Sequence, residues 1–186
     1  MINYPIGITK KCKTISYKNR GMNLESLINE TNYYYLINNK AVIYKKPTPI
    51  KIIKMNPDKK RIINAVFDKH STTDYNGVYK GYYIDFEAKS TKSKTSFNLN
   101  NLKSCQISHF RKILMQKAIT FLIIEFSTLE QYYVLPAIFL LNFIDNTNKK
   151  SIPLKYIQEN SYEIKRTINP PLDYLKSVDL FLKSKQ

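Results

Sequence analysis

Thr72-Thr73-Asp74-Tyr75-Asn76-Gly77-Val78-Tyr79-Lys80-Gly81-Tyr82-Tyr83-Ile84-Asp85-Phe86-Glu87-Ala88-Lys89 reads as two strands joined by a tight turn. The stretch is rich in tyrosine and aliphatic strand formers, and glycine interrupts it twice. Two dipeptides compete for the turn. Asn76-Gly77 is the stronger hairpin dipeptide by composition. Lys80-Gly81 is the turn that organises the charges: Tyr79 then faces Tyr82, Asp74 faces Glu87 and Thr72 faces Lys89. Side chains alternate between faces with period two, so Thr72, Asp74, Glu87 and Lys89 share one face. Tyr75, Tyr79, Tyr82, Ile84, Phe86 and Ala88 form the other, core-like face. A turn at Asn76-Gly77 instead puts Asp74 opposite Tyr79 and leaves a surface hairpin with scattered charges.

Opposed residues of an antiparallel pair have Cβ atoms about 4.5–5.5 Å apart. Two bare carboxylates at that distance repel each other. A divalent cation between them removes the repulsion, and an oxygen-rich site of this kind suits Mg²⁺, with Mn²⁺ as a substitute. Such an ion acts on phosphodiesters by generating a nucleophile from water and by neutralising charge on the phosphate. Lys89 adds a fixed positive charge at the same centre. Asp85 shares the face one step nearer the turn and reads as a structural or supporting carboxylate. No Ser–His or Cys–His arrangement competes, and four glycines scarcely build a phosphate-binding loop.

The surrounding chain of 186 residues carries 30 Lys and Arg against 14 Asp and Glu, a formal net charge of +16. So strong a positive balance acts through long-range attraction to polyanions, nucleic acid first and an anionic membrane surface second. An AT-rich genome explains the preference for Lys over Arg but not the shortage of acids. Cys12, Cys105, His70 and His109 fit no zinc-site spacing. A reduced, cytoplasmic protein is expected. The apolar runs near Ile119–Phe126 and Val134–Leu141 are too short or too interrupted to span a bilayer, so no membrane partner is expected.

The length fits one domain over residues 1–186, opened by a basic, irregular arm at about 1–18. Asn19 caps a helix to about Glu30, with Leu24, Leu27 and Ile28 as its buried stripe. Glu25 sits beside that stripe and can add a carboxylate to a neighbouring metal site. Tyr33–Tyr35 and Ala41–Tyr44 are expected strands. Pro47 and Pro49 cannot sit in a central strand. They open an out-and-back projection, about 47–67, tipped by Lys59, Lys60 and Arg61. Ser90–Ser96, with Lys92 and Lys94, is a loop suited to phosphate oxygens. A helix from Asn100 to about Ala118 places Gln106 near its start. Thr120–Phe126 reads as a strand covered on both faces. Helices alternate with strands around this run, which makes the class α/β with a mixed sheet.

The run Asp74 … Glu87-Ala88-Lys89 resembles the signature of the PD-(D/E)xK nuclease superfamily. Three longer stretches resemble the RecU Holliday-junction resolvases of low-GC Gram-positive bacteria and their relatives. They are Asn19-Arg20-Gly21-Met22-Asn23-Leu24-Glu25, then Lys46-Pro47-Thr48-Pro49-Ile50, then Thr72–Tyr79 followed by Tyr83–Lys89 and Lys94-Thr95-Ser96-Phe97. The resemblance implies a restriction-endonuclease-like fold, a mixed sheet flanked by helices with a projecting stalk. It implies an intertwined homodimer and Mg²⁺-dependent, symmetric nicking of four-way junction DNA during recombination and repair. By motif position it implies Thr72, Asp74, Glu87 and Gln106 as metal-site residues and Lys89 as the transition-state stabiliser. Glu25 corresponds to an acidic residue of the first helix. The projection corresponds to the stalk that enters the junction.

Arg20, Lys46, Lys59, Lys60, Arg61, Lys92 and Lys94 are the basic residues expected to meet DNA. The stalk tip is a few residues shorter than the family's, which leaves open which of Lys59, Lys60 and Arg61 takes the place of its basic stalk residue. Cys105 stands where a polar residue is commoner. Relatives also modulate strand-exchange recombinases, so a recombinase and branch-migration machinery are candidate partners. Two other readings keep the residues but change the function: a junction-binding or strand-annealing protein without turnover, and a restriction-type endonuclease.

Overall fold

The computed structural model describes residues 23–58, 61–68 and 72–183. The expected arm at 1–18, the Asn19 cap, Arg20, Lys59 and Lys60 lie outside the described residues. The first helix, α1 (Leu24–Ile37), is capped by Asn23, whose Oδ1 accepts the Ser26 N–H at 2.9 Å. It runs well past Glu30, so the strand expected at Tyr33–Tyr35 is corrected to helix. The reason lies in burial: Leu24, Leu27, Ile28, Thr31, Asn32 and Tyr35 continue one buried stripe at helical spacing. Tyr35 is fully buried, and its hydroxyl donates to Asp173 at 2.7 Å. That tertiary contact outweighs the β-preference of a run of three tyrosines.

The chain then forms β1 (Val42–Lys45), β2 (Ile50–Asn56), β3 (Arg61–Phe67), β4 (Tyr75–Tyr79), β5 (Tyr82–Thr91) and the short β6 (Ser96–Asn98). A single turn of 3-10 helix at Leu99–Asn101 leads to α2 (Ser104–Met115). After it come β7 (Ile119–Phe126), β8 (Gln131–Pro136), α3 (Ala137–Asn146), β9 (Ser151–Pro153), α4 (Leu154–Asn160), β10 (Tyr162–Ile164) and α5 (Tyr174–Lys183). Six strands make the central sheet in the order β1-β4-β5-β7-β8-β10. Only β5 and β7 pair in parallel, and α2 is the crossover between them. All eight residues of β7 are buried, as an apolar run covered on both faces requires. The architecture is the mixed α/β sheet flanked by helices that the sequence led us to expect.

One core lies between the sheet and the α1–α5 face. Tyr75 stacks on Phe86 at 4.9 Å and Phe86 on Phe121 at 4.8 Å, with Tyr174 packed against both phenylalanines. The second core, with Phe97, Phe110, Leu122, Ile124, Leu140 and Ile157, lies beneath α2, α3 and α4. Strand alternation therefore sends Phe86 into the first core and Asp85 and Glu87 towards the second, under α2.

β2 and β3 stand apart as a two-stranded sheet of their own. Nearly every residue on both is exposed, aliphatic ones included. The projection closes at its foot, where the Asp68 N–H donates to the Pro49 carbonyl at 3.1 Å. Pro47 and Pro49 keep this stretch out of the central sheet, since proline cannot donate to a ladder.

Candidate active site

The β4–β5 register decides the site. Tyr75 pairs with Phe86, Asn76 with Asp85, Gly77 with Ile84 and Tyr79 with Tyr82. The turn is therefore Lys80-Gly81, with φ of 50° and 81°. Two consecutive left-handed residues make a type I′ turn, whose twist matches the flanking strands. Asn76-Gly77 serves another need. A Cβ on Gly77 would lie 2.0 Å from the Val42 carbonyl oxygen, so glycine is there to let β1 approach β4.

β4 begins only at Tyr75, so Thr72, Thr73 and Asp74 form a bend rather than a continued strand. This corrects the expectation of strict alternation back to Thr72. Asp74 still lies against Glu87, and its Oδ2 accepts the Ala88 N–H at 3.4 Å. The bend turns Thr73 inward, and its Oγ1 donates to Asp85 at 2.5 Å.

Glu87 is completely buried. Lys89 Nζ lies 2.6 Å from its Oε1, and Asp74 is its other polar neighbour. Burial first, and the neighbouring Asp74 next among the effects that raise it, push the Glu87 carboxyl up to about 7, although Lys89 pulls the other way. A buried carboxylate beside a second carboxylate is the donor set a hard cation takes up. Among the described residues no three His, Cys, Asp or Glu side chains converge on one point. The set that fits an ion here is two carboxylates supplemented by neutral oxygens.

Thr72 and Gln106 are the neutral oxygens that the sequence offers for that set. Thr72 Oγ1 accepts from Lys46 Nζ at 3.3 Å. Gln106 is buried in the first turn of α2, where its Oε1 accepts the Lys103 N–H at 2.9 Å. Three residues further along α2, His109 Nε2 lies 3.3 Å from Asp85 Oδ1. A crossover helix runs antiparallel to the parallel strands it joins. Stepping back from His109 to Gln106 moves about 4.5 Å along α2, and stepping from Asp85 to Glu87 moves about 6.6 Å along β5 in the same direction. Gln106 thus lies on the Glu87 side of His109 along the helix.

Glu25 reaches the site from the other face of the sheet. It lines a cleft of about 260 Å³ with Lys45, Asp74, Ala88, Ser90 and Glu125, and its carboxylate is ion-paired with Lys45 at 2.5 Å. Burial first, then the charges of Glu25, Asp74 and Glu87, hold the Tyr75 phenol above its ordinary range. Glu125 went unread in the sequence, although it is the one charged residue in the buried Ile119–Phe126 run.

Lys92 and Lys94 are exposed just beyond β5. Their loop is shaped by hydroxyls: Ser93 Oγ accepts the Thr95 and Ser96 N–H groups, and Thr128 Oγ1 donates to the Lys92 carbonyl. Arg61 is exposed at the start of β3, opposite Asn56. Lys46 departs from the expectation of an outward phosphate contact. Its side chain is largely buried, and its ammonium lies 2.6 Å from Asp85.

A family model described as "Recombination protein U" (RecU) matches residues 19–180. A protein of Lactobacillus helveticus (strain DPC 4571) named Holliday junction resolvase RecU is 50% identical over 177 residues, covering 94% of this chain and 84% of that protein. One of the same name from Streptococcus mutans serotype c (strain ATCC 700610 / UA159) is 47% identical over 191 residues, covering 96% of each. Among solved structures, Archaeoglobus fulgidus Hjc, described as a Holliday junction resolvase from an archaeal hyperthermophile, aligns with a TM-score of 0.44 at 11% identity, over 75% of this chain and 90% of that one.

Proposed function

The chain belongs to the RecU family, and on that premise we propose that it is a divalent-metal-dependent endodeoxyribonuclease that resolves Holliday junctions by paired, symmetric nicks. The observation that carries the reading is Glu87: a fully buried carboxylate beside a second carboxylate, Asp74, and 2.6 Å from the Lys89 ammonium. Asp74 and Glu87 would hold Mg²⁺, or Mn²⁺ in its place, with Thr72 and Gln106 as the neutral oxygen donors. Such an ion supplies water activation and charge neutralisation at a phosphodiester. Lys89 presents a positive charge that need not reorganise as negative charge builds on the scissile phosphate. Lys92 and Lys94 hold the flanking phosphates and so orient the strand. Glu25, across the Asp74 cleft, adds a carboxylate on the approach side.

Two nicks need two centres, so the working unit is a homodimer. The exposed hairpin supports this. Ile50, Ile53, Met55, Ile63, Val66 and Phe67 are all about half exposed or more. A lone two-stranded hairpin is marginal in water, and a second copy covers these side chains. The junction then meets the exposed Arg61 at the start of β3. The +16 charge supplies the sequence-independent part of DNA binding.

The direct test incubates purified protein and Mg²⁺ with a synthetic mobile four-way junction and with a linear duplex of the same arm sequence. Paired nicks on two strands of like polarity in the junction, with the duplex left whole, support the reading. Binding without nicking would favour a junction-binding protein instead, and defined cuts in the duplex would favour a restriction-type enzyme.

A further inference from the structure

Asp85 has no exposed surface, and four groups surround it. Thr73 Oγ1 donates to Oδ1 at 2.5 Å, Lys46 Nζ to Oδ2 at 2.6 Å and Tyr83 OH to Oδ2 at 3.0 Å, while His109 Nε2 lies 3.3 Å from Oδ1. Lys46 in turn donates to Thr72 Oγ1 at 3.3 Å and Thr73 Oγ1 at 2.5 Å. Its backbone N–H donates to the Asp74 carbonyl at 2.7 Å. Every residue of the 72–74 bend is therefore held by Lys46, by Asp85 or by both. The Lys46–Asp74 backbone bond carries the β1–β4 register one step past Lys45 and Tyr75, and beyond it Thr72 and Thr73 lie outside any strand. Lys46 is also the last residue before Pro47, where the chain leaves the sheet for the projecting hairpin.

A buried ion pair is poor value for stability alone, because desolvation offsets most of the attraction. Its directed contacts specify geometry instead. We propose that Lys46 and Asp85 are positioning residues that clamp the Thr72–Asp74 bend in its ligating posture, and that they do so from the foot of the hairpin. The pair touches neither the ion nor the phosphate. Through Thr72 and Thr73 it fixes the path of the bend that carries the Asp74 carboxylate, and the same lysine stands where the hairpin departs. The inference rests on the reading of Asp74 and Glu87 as the metal-holding pair.

Isothermal titration of DNA-free protein with Mn²⁺ tests it, alongside thermal melting without metal. Lys46→Met combined with Asp85→Asn removes both charges together, so no lone buried charge remains. Thr73→Val keeps the ion pair and removes only the hydroxyl that ties the bend to it. The expected result is at least a tenfold loss of Mn²⁺ affinity in the double variant and a several-fold loss in Thr73→Val, each folded and melting within a few degrees of the parent. Should the double variant fail to fold, Thr73→Val decides alone. Unchanged Mn²⁺ affinity in folded variants would overturn the proposal. A parent protein that binds Mn²⁺ with these dependences yet leaves four-way junctions uncut would instead overturn the nuclease reading and leave the clamp standing.

Discussion

At the scale of single residues, the chemistry concentrates on Glu87. Its carboxyl is raised from an ordinary 4.5 to about 7, mainly by burial. The folded state therefore holds this proton more tightly than the unfolded chain does. The contribution of Glu87 to stability is fully present below about pH 4.5 and is lost as pH rises through about 7. Metal-free Glu87→Gln should accordingly melt above the parent at pH 8, with the gap closing towards pH 5, as read by thermal denaturation. Ion binding needs the deprotonated form, so Mn²⁺ affinity should climb with pH and level off above about 7. The Gln variant should lose cleavage altogether. Lys89 calls for a different signature. Lys89→Ala should lower single-turnover nicking by about 10²–10³-fold, the usual cost of one preorganised charge. Its junction affinity should hardly move, because many phosphate contacts share that energy. Gel-shift binding in Ca²⁺ beside quenched-flow cleavage separates the two effects.

At the scale of elements, the β4–β5 hairpin shows what could and could not be read from the sequence. Pairing Asp74 with Glu87 required the turn at Lys80-Gly81, and the structure has it there. Composition alone favoured Asn76-Gly77, because it does not distinguish a glycine that turns from one that lets a neighbouring strand approach. Gly77→Ala should therefore cost about 3 kcal/mol or more, since the new Cβ meets β1 backbone that cannot yield. Gly81→Ala, with open space around it and a left-handed backbone, should cost only about 1–2 kcal/mol. Urea denaturation of both variants checks the order. The bend at Thr72–Asp74 was not legible, because strand alternation says nothing of where a ladder stops. The inward turn of Lys46 was hidden for a related reason: a lysine before two prolines looks like a solvated base until its buried partner Asp85 is located. Helix α1 outran its expected end because the stripe continuing through Tyr35 depends on Asp173, 138 residues away.

At the scale of the whole molecule, the proposed function assigns the chemistry to the sheet and the selectivity for four-way junctions to the hairpin. The hairpin is apolar along its length and exposed on both faces, which a monomer in water does not favour. Replacing Ile53 and Ile63 with Lys should shift the protein from dimer to monomer in sedimentation velocity. Melting of the parent should depend on protein concentration, as it does for any coupled assembly. The monomeric variant should retain Mn²⁺ binding while losing paired nicks. All of this depends on the proposed ion between Asp74, in the bend before β4, and Glu87, within β5. Crystals of the protein soaked in Mn²⁺ and measured at an anomalous wavelength test that claim most directly. The account predicts an anomalous peak bonded to Asp74 and Glu87, within reach of Thr72 and Gln106 and absent from Glu87→Gln crystals. A well-ordered site with no peak there, or a peak bound elsewhere while Asp74 and Glu87 stay bare, would contradict it.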